Sequence, residues 1–246
     1  MHHHEHYEIW LARQFNDHLP GLGNAILKLL GLPAEHRPWA NFMVMEILVA
    51  LIIILLFAFL RPRLSMDRPG SLQHIFEIIH DFVYSESEDN VGHDGPKYLP
   101  FFGTLFIFIL ICNLIGIIPG FESPTMSPPV TAGCALAVFC YYNVMGVRAQ
   151  GLGKYLAHFV GPLWFLAPLI VPIELISHMA RPLSLSVRLY ANMYAGEQVT
   201  LVFLTLTYLV APALFMGLHV FVSLLQAYIF MLLTMMYVSG AVSHEH

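Results

Sequence analysis

The twenty residues Asn41–Leu60, NFMVMEILVALIIILLFAFL, contain a single ionisable side chain, Glu46. About 20 consecutive apolar residues is the helix length that crosses the hydrocarbon core of a bilayer. Arg61-Pro62-Arg63 closes the run with two charges and a residue that cannot continue the hydrogen-bond ladder. The same pattern recurs further along the chain. Leu99–Ile118 is followed by Pro119-Gly120, and Val130–Val147 by Arg148. A long apolar stretch over 162–206 leads to Ala213–Val238, with Pro212 placed to begin the last span. The composition agrees: 57% of the 246 residues are hydrophobic and 11% are charged, against about 25% charged in soluble domains. The expectation is an all-α integral membrane protein of about five spans, plus interfacial amphipathic helices. The last two spans are long for perpendicular crossings and should form a tilted helical hairpin.

Residues 1–38 read as an extramembrane or interfacial segment, and 39–246 as a single membrane domain. Residues 8–30 suggest a helix lying on the membrane. LQHIFEIIHDFVY, Leu72–Tyr84, has apolar residues at helical spacing and reads as another. The SESEDNVGHDG that follows reads as an acidic, exposed loop. Cys112, Cys134 and Cys140 all fall in apolar runs, as reduced packing residues would. The histidine cluster in MHHHEHYEIW reads as a disordered tail or tag remnant rather than a metal site. With no basic run and no glycine-rich phosphate loop, nucleic-acid and nucleotide binding are not expected, and neither is a metal or other cofactor. Lysine and arginine set orientation. Arg61, Arg63, Arg68 and Lys97 flank one connection and Arg148 and Lys154 another, while 119–129 and 208–212 have none. This places the N-terminus outside and the C-terminus in the cytoplasm.

PLSLSVRLYANMYAGEQVTLVFL, Pro182–Leu204, breaks the apolar pattern with Arg188 and Glu197. A charge at the bilayer centre costs roughly 2.5–3.5 kcal/mol on insertion scales. On a helical wheel Glu174, Ser177, Arg181, Ser184 and Asn192 fall within about 40° of Arg188, whereas Glu197 falls about 180° away and about 13 Å further along. Pro182 is expected to bend this helix. The last span has its own polar set: His219, Ser223 and Gln226. At one level of an antiparallel pair the residue numbers have a constant sum, 414 for Arg188 with Gln226 and 416 for Glu197 with His219. Arg188 lies well away from the turn and reads as an intramembrane functional site rather than a snorkelling side chain. His219, level with Glu197, reads as a proton relay. Asn192 and Gln226 suit either a polar path or interhelical hydrogen bonding, and Glu46 has no evident partner.

RPLSLSVRLYANMYAGE, followed downstream by LQAYIFMLLTMMYVS and a terminal SHEH, resembles subunit a of the F-type ATP synthase, bacterial type. The resemblance runs from about Trp39 to the C-terminus. It implies a proton-translocating stator in the bacterial inner membrane, with its N-terminus periplasmic. Two offset half-channels and an arginine barrier would couple proton flow to rotation. The implied partners are the c-subunit ring, the b subunits of the peripheral stalk and, through them, the soluble F1 ATPase. The chain would then be no enzyme on its own. Arg188 matches the family's essential arginine facing the c-ring. Glu197 and His219 match the periplasmic half-channel, and Asn192 and Gln226 the polar path near the arginine. Glu174 and Ser177 match positions of the cytoplasmic half-channel, and Glu122 could serve at the channel mouth. Sodium remains open as the coupling ion, with Glu197 and His219 favouring protons. A self-contained secondary transporter binding an anion on Arg188 is the alternative. Inverted repeats would mark it, and no clear repeat is visible.

Overall fold

The computed structural model describes residues 8–29, 31, 33, 36–65, 70–118, 120–151, 153, 155, 167–206 and 210–242. The histidine cluster, Arg68, Pro119, Lys154, residues 162–166 of the long span, the turn at 207–209 and the SHEH ending lie outside the described residues. Among the described residues eight α-helices run α1 (Trp10–His18), α2 (Pro20–Leu29), α3 (Asn41–Leu60), α4 (Ser71–Val91), α5 (Leu99–Ile115), α6 (Pro128–Gln150), α7 (Ala167–Leu206) and α8 (Val210–Val242). Among the described residues there is no strand. The chain is an all-α membrane protein. Among the described residues four segments are long and apolar enough to cross a bilayer: Asn41–Arg63, Gly95–Ile115, Pro128–Gln150 and Ala213–Val242. The 40-residue α7 is not among them because its apolar sequence carries Glu174, Arg181, Arg188 and Glu197. Pro172 and Pro182 both lie inside α7, which stays helical through them.

The core forms where α5, α6, α7 and α8 meet. Phe102 and Ile109 of α5 and Val138 and Tyr142 of α6 pack in one cluster with a stripe on each of the last two helices. On α7 the stripe is Leu185, Leu189 and Met193, four residues apart and therefore on one face. On α8 it is Ala227, Phe230, Met231, Met235 and Val238. Helix α3 is more peripheral; Leu51, Ile54 and Leu55 remain exposed on it. The N-terminal segment forms two short helices. Asn16 and the Trp39 backbone hold each other through reciprocal 3.0 Å hydrogen bonds, and Asn41 donates to Glu122 at 3.1 Å.

The acidic stretch after Tyr84 is not the loop that its polarity suggests. Helix α4 continues through it to Val91 and stops where Gly92 takes a φ of 83°. Glutamate is a good helix former. Glu86 also gives this end of the helix an anchor, accepting a 3.3 Å hydrogen bond from the Tyr228 hydroxyl of α8. Beyond Gly92, the hydrogen bond from Lys97 holds the Asp94 carboxyl below its ordinary range.

The basic residues gather at one end of the bundle. Phe101 at the start of α5 stacks on Tyr141 late in α6, and Gln150 at the end of α6 donates to the Ala241 carbonyl at 3.0 Å. Arg61, Arg63, Lys97 and Arg148 therefore share the end at which α8 finishes, while Asn41, Glu122 and the 116–127 connection lie at the other.

Gly95 packs directly on α4: a Cβ there would sit 2.3 Å from the Ser87 carbonyl oxygen. Overpacking of this kind costs about 1–3 kcal/mol, so Gly95→Ala should lower the thermal midpoint of the purified protein by several degrees. Gly103→Ala, whose Cβ would meet nothing within 4 Å, should leave the midpoint unchanged in the same measurement.

Candidate functional site

Packing fixes how α7 is rotated, and rotation decides where its charges point. With Leu185, Leu189 and Met193 turned into the core, Arg188 lies about 100° round the helix from Leu189 and is exposed on the outer face of the bundle. Among the described residues its guanidinium has neither an ion pair nor a hydrogen bond. The residues flanking it on that face, Ser184, Ala191 and Ala195, are small and exposed. On α8 the same side presents Leu218, Phe221 and Leu225, all exposed. Asn192, one turn beyond Arg188, donates from Nδ2 to Gln226 Oε1 at 2.8 Å. Gln226 itself is buried, and its Nε2 has no partner among the described residues. Gln226 thus reaches Asn192 rather than Arg188.

Glu197 sits on another face and at another depth. With His219 it lines a cavity of about 280 Å³ whose other wall is the 116–121 connection, including Gly116, Ile118 and Phe121. One carboxylate oxygen, Oε2, is buried without a hydrogen-bond partner among the described residues. His219 is buried against the backbone of Gly196: a Cβ at 196 would lie 3.0 Å from the imidazole Nδ1. The imidazole also lines an outward-facing groove with Asn192, Ala195 and Gly196. His219 therefore stands between the Glu197 cavity and the face that carries Arg188. Glu122, next to the cavity-lining Phe121, is held by Asn41.

A second polar pocket lies at the opposite end. Glu174, Arg181 and His178 of α7 meet Tyr142, Gln150 and Tyr155 around a space of about 60 Å³. Asn143 is the hub. Its Oδ1 accepts from the Tyr155 hydroxyl at 2.7 Å and lies 3.0 Å from His178 Nε2, which is 3.3 Å from the Tyr142 hydroxyl. Arg181 lies over the Tyr237 ring at 5.5 Å. Ser177 is exposed and does not line this pocket.

Two networks lay beyond sequence reasoning. One is this Asn143 hub. The other is Asn113, which accepts from Thr125 at 2.7 Å while Ser123 donates to the Cys112 carbonyl and pairs with Thr125. Asn113 Nδ2 also donates to the Ser223 carbonyl of α8 at 3.4 Å. An amide in the middle of an otherwise apolar span, as in LICNLIG and YYNVMG, was the available signal, because such groups must find partners.

Comparison with known proteins completes the picture. The family model described as "ATP synthase A chain" matches residues 43–239. "ATP synthase subunit a" of Solibacter usitatus (strain Ellin6076) is 68% identical over 232 residues, 94% of this chain and 100% of the relative. The protein of that name from Koribacter versatilis (strain Ellin345) is 46% identical over 98% of this chain and 99% of its own length. "ATP synthase subunit a 1" of Syntrophotalea carbinolica (strain DSM 2380 / NBRC 103641 / GraBd1) is 43% identical over 88% and 93%.

The chain belongs to the ATP synthase subunit a family. As a subunit of ATP synthase, it works in a membrane complex with the other subunits of that assembly. The family match covers α3 to α8 apart from their outermost residues, and so takes in both polar pockets and the Arg188 face.

Asn143→Leu removes an acceptor on which Tyr155 and His178 converge. Each hydrogen bond lost is worth about 0.5–1.5 kcal/mol, so denaturant unfolding should register a loss of about 1–3 kcal/mol for the two together. Asn143→Asp, which keeps the acceptor, should lose less.

Proposed function

We propose that this chain is the proton-translocating stator of a bacterial rotary ATP synthase, with Arg188 as the barrier between two offset half-channels. The observation that carries the reading is the exposed guanidinium of Arg188, on the outer face of α7, without an ion pair or hydrogen bond among the described residues. Arginine stays protonated in proteins, so in lipid its charge must be met by a group from outside. A carboxylate on a passing c-ring is such a group, and an adjacent cation lowers its pKa. Each ring carboxylate would release its proton before passing Arg188, and reload only beyond it. The small flanking residues Ser184, Ala191 and Ala195 support close approach by a partner helix.

Glu197 and His219 form the periplasmic port in this reading. Protons enter beside Glu122 at the channel mouth, reach Glu197 through the cavity under the 116–121 connection, and pass by His219 toward the Asn192 side of the Arg188 face. Asn192 and Gln226 keep that last step polar. Glu174, with Ser177 toward the mouth, serves the cytoplasmic half-channel at the end where the arginines and lysine gather. That clustering supports a cytoplasmic C-terminus. At 100 mV each proton supplies about 2.3 kcal/mol, so several must act together for each ATP made. The nucleotide chemistry belongs to F1, reached through the b subunits.

Arg188→Lys keeps a positive charge but can lose its proton when buried. In inverted vesicles it should abolish ATP-driven proton pumping while c-ring and F1 subunits still co-purify. Pumping at the wild-type rate would overturn the role given to Arg188. A chain that purifies alone as a small oligomer and takes up an anion would instead mark a secondary transporter.

A further inference from the structure

A further cavity lies away from both polar pockets. It has a volume of about 510 Å³ and opens between the end of α3, the strap helix α4 and the start of α5. Ligand pockets span roughly 300–1,000 Å³. Phe57, Phe76, Ile79, Val83, Leu99 and Ile107 make the walls apolar. Gly103 contributes bare backbone, and a Cβ added there would meet nothing within 4 Å.

The polar groups along the cavity are already engaged. Thr104 donates to the Pro100 carbonyl at 2.7 Å. Gln73 donates to Glu77 at 2.7 Å and to the Ser65 carbonyl at 3.0 Å, and accepts from the Ser65 N–H. Glu77 is also 3.3 Å from His74, and His80 is 3.2 Å from Asp81. The interior therefore suits an apolar guest. Its rim carries the opposite chemistry. Leu64 lines the cavity, and the two arginines just before it, Arg61 and Arg63, are exposed. Arg63 lies over the Phe59 ring at 3.7 Å. Neither has a carboxylate partner among the described residues. An apolar slot with two exposed arginines in the chain segment that leads into it at Leu64 matches an amphiphile that has a hydrocarbon chain and an anionic head.

We propose that this cavity holds one acyl chain of an anionic phospholipid, with the phosphate bound by Arg61 and Arg63. The lipid fills the space under α4 and completes its seat on the bundle, in concert with the Glu86–Tyr228 hydrogen bond further along the strap. The inference is independent of the proton path.

The test uses the assembled complex in phosphatidylcholine nanodiscs containing phosphatidylglycerol with a photoactivatable group on one acyl chain. After irradiation, adducts are mapped by peptide mass spectrometry. They should concentrate on residues 76–83 and 99–107, above the level at Leu51, Ile54 and Leu55 on the exposed face of α3. Gly103→Leu, which projects a side chain into the cavity, should bring that labelling down to the α3 level. Replacing both arginines by glutamine (R61Q, R63Q) should cut the preference for phosphatidylglycerol over an equivalent phosphatidylcholine probe by about fivefold per arginine. These two positions are exposed, so that variant tests the head group without disturbing the core. Co-purification of the other subunits checks assembly of both variants. Labelling unchanged by Gly103→Leu would overturn the cavity as the site. Equal labelling by the two lipids in the wild type would overturn the anionic head group. Crosslinks to another subunit in place of lipid adducts would overturn the lipid as occupant.

Discussion

The outward placement of Arg188, whose guanidinium has no ion pair or hydrogen bond among the described residues, is the constraint on which the last two helices depend. The buried stripe Leu185, Leu189 and Met193 locks the rotation of α7 against Ala227, Phe230 and Met231 of α8. Arg188 is held outward because its immediate neighbour Leu189 is held inward. A turn of α7 by one residue would bury the guanidinium in a methionine-rich core, where an uncompensated charge costs several kcal/mol. Core packing and charge placement are therefore the same fact seen from two sides of one helix. The fixed rotation also delivers Glu197 to the opposite face, under the 116–121 connection, although only nine residues separate it from Arg188.

Polar groups that must be satisfied inside the membrane hold the two ends of this pair in register. At one end Asn113 ties α5 to Thr125 and to the backbone of α8 at Ser223. At the other, Asn143 of α6 gathers Tyr155 and His178, and Gln150 reaches the end of α8. Between them two buried polar atoms are left without partners among the described residues, Glu197 Oε2 and Gln226 Nε2. Natural proteins leave few such atoms, and each calls for an explanation. Both lie on the route from the Glu197 cavity to the Asn192 side of the Arg188 face, where water or a moving proton would supply the missing partner.

The spans were legible in the sequence because hydrocarbon demands long apolar runs, and α3 could be read from Asn41–Leu60 alone. The segregation of Arg188 from Glu197 was legible as well, since it follows from helical geometry. The level of contact was legible only to within a turn. His219 seats on Gly196, next to Glu197, but Gln226 meets Asn192 instead of standing beside Arg188. Constant sums assume parallel axes and ideal spacing, and long helices that carry prolines need not keep either. The end of α4 was misread because acidity suggests solvent, whereas glutamate favours helix and Tyr228 gives the segment a tertiary anchor. The Asn113 and Asn143 hubs were not legible, because an amide shows its need for a partner in the sequence but not which partner it finds.

Length adds a further consequence. At 1.5 Å per residue the 40 residues of α7 extend about 60 Å, twice the hydrocarbon thickness of about 30 Å. A helix of that length has to tilt to stay within the membrane. Glu174 and Glu197 are about 35 Å apart along its axis, and tilt turns part of that separation into lateral displacement. On an upright helix the two ports would stack above one another, and a proton could cross between them without any partner moving. Tilt, in the proposed mechanism, converts part of that separation into distance along the membrane plane, with Arg188 between the two ports. In the proposed mechanism a proton covers that lateral distance only by riding on the ring. The excess length of α7 is, in that proposed mechanism, what would make two half-channels on one helix a coupling device rather than a leak.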